Sequence, residues 1–132
     1  MVVCIVPEME FARISSKISN ELISGILKIE ITGIIKNIPI RQKDEWIPRK
    51  AEGVYIFTTI MGDKYVGSSE ISMFYRINQH IKNFDIDFVD IYLTNYSRVV
   101  EKWFMREIKP ELNNRYSYYG WFKKSNVNCG EI

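Results

Sequence analysis

The stretch GVYIFTTIMGDKYVGS, residues 53–68, decides the fold. It contains two runs rich in β-branched and aromatic residues, separated by the glycine-containing segment MGD. This pattern is typical of two antiparallel strands joined by a tight turn. The stretch therefore predicts a β-hairpin.

The length of the hairpin loop decides where two tyrosines point. Tyr55 and Tyr65 share one face of the hairpin only if the loop has an odd number of residues, because side chains alternate along a strand. We predict a three-residue loop over 61–63 that pairs Ile60 with Lys64 and places its glycine at positive φ. A regular two-residue turn would put the tyrosines on opposite faces.

Further elements follow the hairpin. A helix over 70–84, capped by Ser68 or Ser69, is predicted by one apolar stripe, formed by Ile71, Phe74, Ile77, Ile81 and Phe84. A third strand covers DFVDIYLT, 87–94, and faces the core with either Phe88 and Ile91 or Val89 and Leu93. A last helix ends before Pro110. The order β, β, α, β, α predicts an α+β fold, with a small three-stranded, mainly antiparallel sheet flanked by helices.

Residues 1–50 form an N-terminal extension without a chemical motif, ahead of the predicted domain at 51–132. Apolar residues recur at every fourth position and predict a helix that ends near Gly25. A strand or hairpin is predicted over 28–40. The segment RQKDEWIPRK, 41–50, is a connection whose basic residues either contact phosphates or are only solvated.

Composition limits the class of protein. The chain has 132 residues and a mass of 15.6 kDa, which suits one folded domain. A net charge of +2 argues against a protein that coats nucleic acid non-specifically. Cys4 and Cys129 are predicted to be free thiols, with a disulfide between them as the alternative. No apolar run reaches the length of a membrane span, so we expect a cytoplasmic protein in a reducing compartment, without a membrane partner.

Five elements in order resemble the GIY-YIG nuclease superfamily. GVY at 53–55 and YVG at 65–67 are similar to its paired tripeptides, and Arg76 and His80 form an R-x-x-x-H pair. Glu101 and Asn113 lie within VEKWFMREIKPELN, which is similar to the family's glutamate helix and terminal K-P-x-x-N. The resemblance implies an endonuclease that hydrolyses DNA, either duplex or branched, with one Mg²⁺ or Mn²⁺ per active site.

Glu101 is the metal ligand that the resemblance implies. On its predicted helix it lies in the same sector as Phe104, Met105 and Ile108. A carboxylate directed at apolar surroundings needs a partner. That partner is either a divalent cation, since Mg²⁺ prefers carboxylate oxygen and water, or a neighbouring Arg or Lys.

The resemblance implies the other catalytic roles. Tyr55 would take a proton from the attacking water, and Tyr65 would position that water or the phosphate. Arg76 would bind the phosphate and lower the pKa of the tyrosine, while His80 would relay the proton or hold the phenolate. Asn113 would brace the site or bind a phosphate.

A second set of residues is predicted to contact the substrate. Gly53 and Gly67 permit close approach of the backbone. The basic members are Lys64, Arg115, Lys123 and Lys124. The last three belong to an aromatic and basic tail, 114–132, which either stacks on bases or covers the sheet.

Two other functions compete with cleavage. The same fold can serve as a nucleic-acid-binding module that does not cut, or as a subunit of a repair or recombination assembly. If the chain is a nuclease, a restriction-like, viral or mobile-element enzyme is expected. A homodimer would let so small a domain cut both strands of duplex DNA.

Overall fold

The computed structural model describes residues 2–23 and 29–115, without the side chains of 22, 23, 114 and 115. Its strands are β1 (Cys4–Ile5), β2 (Ile31–Pro39), β3 (Gly53–Thr59), β4 (Lys64–Ser69) and β5 (Ile86–Thr94). Its helices are α1 (Glu8–Ile23), α2 (Lys43–Trp46), α3 (Met73–His80), α4 (Ser97–Ile108) and α5 (Glu111–Arg115). The predicted α+β class is confirmed.

The sheet is larger than the three strands that were predicted. In the described part of the chain it has five antiparallel strands, in the order β1-β2-β5-β3-β4. The N-terminal extension supplies the two additional strands, because the apolar residues of β2 face both sides of the sheet. Ile34 and Ile38 are both almost fully buried, each in a different core.

Helices cover both faces of the sheet. On one face α1 and α4 enclose a core that includes Ile18, Val54, Ile56, Val66, Trp103 and Phe104. On the other face α3 packs over a core that includes Tyr55, Phe57, Tyr65, Met73, Ile77 and Val89. The first fifty residues therefore share their cores with the predicted nuclease-like part. No helix among the described residues is long and apolar enough to cross a membrane.

The hairpin loop has three residues as predicted, but it lies one position earlier. It comprises 60–62 and is closed by Thr59, whose N–H donates to the carbonyl of Asp63 at 2.9 Å. Gly62 has a φ of +91° and is the last loop residue, which is the usual place for a left-handed residue in a three-residue hairpin loop. Tyr65 is therefore paired with Phe57, and Tyr55 with Gly67, so the two tyrosines share a face as expected.

Helix α3 is shorter than the predicted helix over 70–84. Its cap is Ser72, whose hydroxyl accepts from the N–H of Tyr75 at 3.1 Å. Ser69 instead accepts from the N–H of Ser72, which holds the chain in a turn before the helix. Ile71 consequently lies outside the helix and is 85% exposed, so its predicted place in the apolar stripe is wrong.

The remaining elements agree more closely with prediction. In β5, Val89 and Ile91 are fully buried on the α3 side with Leu93 packed beside them, so the Val89 and Leu93 register is correct. Helix α4 ends two residues before Pro110. The segment predicted as a connection contains the short helix α2. Cys4 carries a free, exposed thiol, whereas Cys129 lies outside the described residues.

Replacing Gly62 by alanine tests the hairpin loop. No atom would crowd the new Cβ within 4 Å, so the cost comes from the positive φ alone. We expect the free energy of unfolding, measured by urea titration, to fall by about 1 kcal/mol. Met61→Ala is the matched control, since this neighbouring side chain is 83% exposed. Equal stability of Gly62→Ala and the control would contradict the assigned loop.

Candidate active site

The ring of Tyr55 crosses the backbone of Gly67. The two residues are directly opposite each other on β3 and β4. A Cβ on Gly67 would lie only 2.5 Å from the Tyr55 hydroxyl oxygen and 2.7 Å from its Cε1. Because glycine leaves that space empty, the phenol extends across β4, the last strand at this edge of the described sheet.

Helix α3 contributes Arg76 and His80 to the same side of the sheet. Arg76 is exposed, whereas His80 is buried at the end of the helix. The His80 ring stacks on Tyr65, with ring centres 5.5 Å apart, and lies 6.4 Å from the ring centre of Tyr55. The histidine is therefore packed behind the tyrosines, and the arginine is left at the surface.

Glu101 reaches the site from the opposite face of the sheet. It lies on α4, is half-buried, and accepts a hydrogen bond from the Ser68 hydroxyl at 2.6 Å. Ser68 follows Gly67 in β4, and alternation of side chains directs it to the α4 side. The edge of β4 is thus where groups from both faces of the sheet meet.

These groups line one small cleft of about 140 Å³. Of the predicted catalytic residues it contains Tyr55, Tyr65, Arg76 and Glu101. The Tyr55 side chain is fully buried, and no hydrogen-bonding partner within the described residues meets its hydroxyl in good geometry. A buried hydroxyl of this kind is normally satisfied, so its position beside a cleft indicates a site for a polar ligand.

Burial raises the pKa of Tyr55 above its ordinary value of 10. The charges of Tyr65 and Glu101 act in the same direction, and the guanidinium of Arg76 lowers the pKa by a smaller amount. Arg76 lowers the pKa of Tyr55 as expected, but burial outweighs this effect, so the pKa is raised overall. Tyr55 is a neutral phenol at physiological pH.

Asn113 braces the strand that forms the cleft. Its side-chain oxygen accepts from the N–H of Val66 at 2.6 Å, and its amide nitrogen donates to the Val66 carbonyl at 2.7 Å. The carboxylate of Glu111 accepts from the N–H of Lys64 at 3.1 Å. Together these side chains of α5 take the place of a further strand at this edge of the described sheet.

Of the described residues that were predicted to contact the substrate, only Gly67 lies at the cleft. Gly53 lies away from the cleft, where its missing side chain leaves room for Met73 and the carbonyl of Tyr92. The ammonium of Lys64 donates to Thr58 Oγ1 at 2.7 Å, also away from the cleft. Gly67 does line it. The side chain of Arg115, and Lys123 and Lys124 with most of the tail, lie outside the described residues.

Sequence reasoning missed four polar residues of the cleft: Ser68, Ser69, Glu70 and Arg98. The two serines had been interpreted only as helix caps. Arg98 precedes Glu101 by three residues on α4, a spacing that places both on one helix face and could have identified it.

No family model matches the sequence, and neither the curated proteins nor the solved structures gave a match. The assignment of a function therefore depends on the motif residues and on their geometry.

Substitution of Gly67 tests the crossing of the Tyr55 ring. Gly67→Ala should lower the free energy of unfolding by about 2 kcal/mol, because the new methyl group collides with the phenol. In a Tyr55→Leu background the cost should fall by at least about 1 kcal/mol, since leucine is too short to cross β4. A four-protein urea unfolding cycle measures this coupling. The same cost in both backgrounds would show that the two residues do not compete for space.

Proposed function

We propose that this protein is a metal-dependent endonuclease of the GIY-YIG type that hydrolyses phosphodiester bonds in DNA. The buried hydroxyl of Tyr55 carries the proposal, because it lies in one cleft with the guanidinium of Arg76, which interacts with it, and with the carboxylate of Glu101. These are the groups needed to position water, bind a phosphate and hold a cation. They are also residues on which the resemblance to the family is based.

The size of the cleft supports a polymeric substrate. Sites for whole small molecules usually measure about 300–1,000 Å³, well above the 140 Å³ found here. The cleft has room for one group of a larger molecule that extends across the surface. A phosphodiester within a nucleic-acid strand is such a group.

Glu101 fits a hydrated Mg²⁺ or Mn²⁺ ion. Mg²⁺ commonly takes one or two carboxylates, several waters and oxygens of the substrate phosphate. One half-buried carboxylate, held in place by the Ser68 hydroxyl, meets that need. Within the described residues there is no group of three or more His, Cys, Asp or Glu side chains of the kind that a fully protein-bound metal requires. When bound, the cation neutralises charge on the phosphate and the leaving oxygen.

The other side chains have distinct tasks in the proposed reaction. Arg76 donates to the non-bridging oxygens of the phosphate. Tyr55 holds the attacking water and accepts its proton in the phenolate form, and His80 fixes the orientation of Tyr65 by stacking. Asn113 positions Val66 between Tyr65 and Gly67, and so acts through the strand.

Cleavage of supercoiled plasmid tests the role of Glu101. We expect wild-type protein to nick or linearise the plasmid with Mg²⁺ and to be inactive with EDTA. Glu101→Gln retains an acceptor for Ser68 but removes the charge, so the rate should fall by about 100-fold or more.

Glu107→Gln is the matched control on the same helix, since Glu107 lies outside the cleft. Equal cleavage by Glu101→Gln and this control would rule out the metal role. If wild-type protein shifts DNA in a gel but does not cut it, a binding module is the better interpretation.

The pH dependence of cleavage tests the role of Tyr55. Because burial raises its pKa, the phenolate is a minor form at neutral pH and increases about tenfold per pH unit. The nicking rate should therefore rise between about pH 6 and 9. Tyr55→Phe should lose both the rate and this slope, whereas Tyr75→Phe, an exposed tyrosine on α3, should retain them. A slope that is unchanged in Tyr55→Phe would exclude Tyr55 as the base.

A further inference from the structure

An ion pair lies in the wall of the cleft. Arg98, in the first turn of α4, has its Nε 3.3 Å from Oε1 of Glu70, which follows β4. Both residues line the cleft together with Arg76 and Glu101. Their side chains are 75% and 57% exposed, and ion pairs so exposed contribute little to the stability of a fold.

The cleft is built to receive an anion from two helices. Arg76 enters from α3 and Arg98 from α4, and a guanidinium binds a phosphate through paired hydrogen bonds. Arg98 and Glu101 are three residues apart, so α4 presents a cationic and an anionic group on one face. The buried Tyr55 hydroxyl, which makes no hydrogen bond of good geometry within the described residues, lies at the same cleft and interacts with the Arg76 guanidinium.

We infer that Arg98 forms a second phosphate-binding site, for the phosphodiester next to the one that is cut. In the free protein the carboxylate of Glu70 forms an ion pair with the guanidinium of Arg98, and the incoming phosphate replaces that carboxylate. The inference rests on the proposed function for the nature of the ligand, a nucleic-acid strand. Arg98 therefore acts in DNA binding, and the chemical step remains with Tyr55, Arg76 and Glu101.

The two members of the ion pair should have opposite effects on DNA binding. Arg98→Ala removes a phosphate contact and should weaken DNA binding about fivefold. The slope of the logarithm of the affinity against the logarithm of the salt concentration should become less steep by about one. Glu70→Gln releases Arg98 and should tighten binding. In an Arg98→Ala background Glu70→Gln should have no effect, whereas simple repulsion between Glu70 and DNA would persist there.

Fluorescence anisotropy with a labelled duplex oligonucleotide measures these affinities in EDTA, at several NaCl concentrations. Arg13→Ala is the matched control, because Arg13 is 73% exposed and pairs with Glu10 on α1, away from the cleft. Cleavage of plasmid with Mg²⁺ is measured on the same preparations. Binding and cleavage are thereby scored separately.

Each outcome either supports or overturns the second phosphate site. The predicted pattern of affinities supports the second phosphate site, and if wild-type protein then fails to cut, the proposed endonuclease activity alone is lost. The inference is overturned if Arg98→Ala binds like Arg13→Ala, even when the protein cuts DNA. It is also overturned if Glu70→Gln acts equally with and without Arg98, or if wild-type protein does not bind the duplex.

Discussion

The passage of the Tyr55 ring over the bare backbone of Gly67 is the constraint on which the candidate site depends. Opposed side chains of an antiparallel pair normally stand side by side. Here one partner has no side chain, so the other crosses the strand and brings its hydroxyl to the sheet edge. Only at that edge can Arg76 of one face and Glu101 of the other approach the same group.

A strand at the edge of a sheet is hydrogen-bonded to a neighbouring strand on one side only, yet β4 supplies more of the cleft-lining residues than any other element. The short helix α5 compensates, because the side chains of Asn113 and Glu111 occupy the N–H and C=O groups that a neighbouring strand would use. Val66, which Asn113 holds through both its N–H and its carbonyl, separates Tyr65 from Gly67. The geometry of the cleft therefore depends on two residues that lie outside it.

Local patterns in the sequence were sufficient to predict the hairpin, helix α4 and the shared face of the two tyrosines, but not the short helix α5. The shared face survived an error of one residue in the loop, because it depends only on the loop having an odd number of residues. The pairing of β2 with β5 was not foreseeable in this way, since their contacts join distant parts of the chain. The cap of α3 was also not predictable, because three neighbouring serines could each have served and Ser72 is the one that does. Nor does residue spacing show that burial raises the pKa of Tyr55 by more than the charge of Arg76 lowers it.

The two margins of the sheet are chemically unequal. The margin at β4 is closed by α5, while β1 is two residues long and has no strand beyond it among the described residues. The cleft therefore lies at the margin of the described sheet whose outward backbone groups are already bonded, four strands from β1.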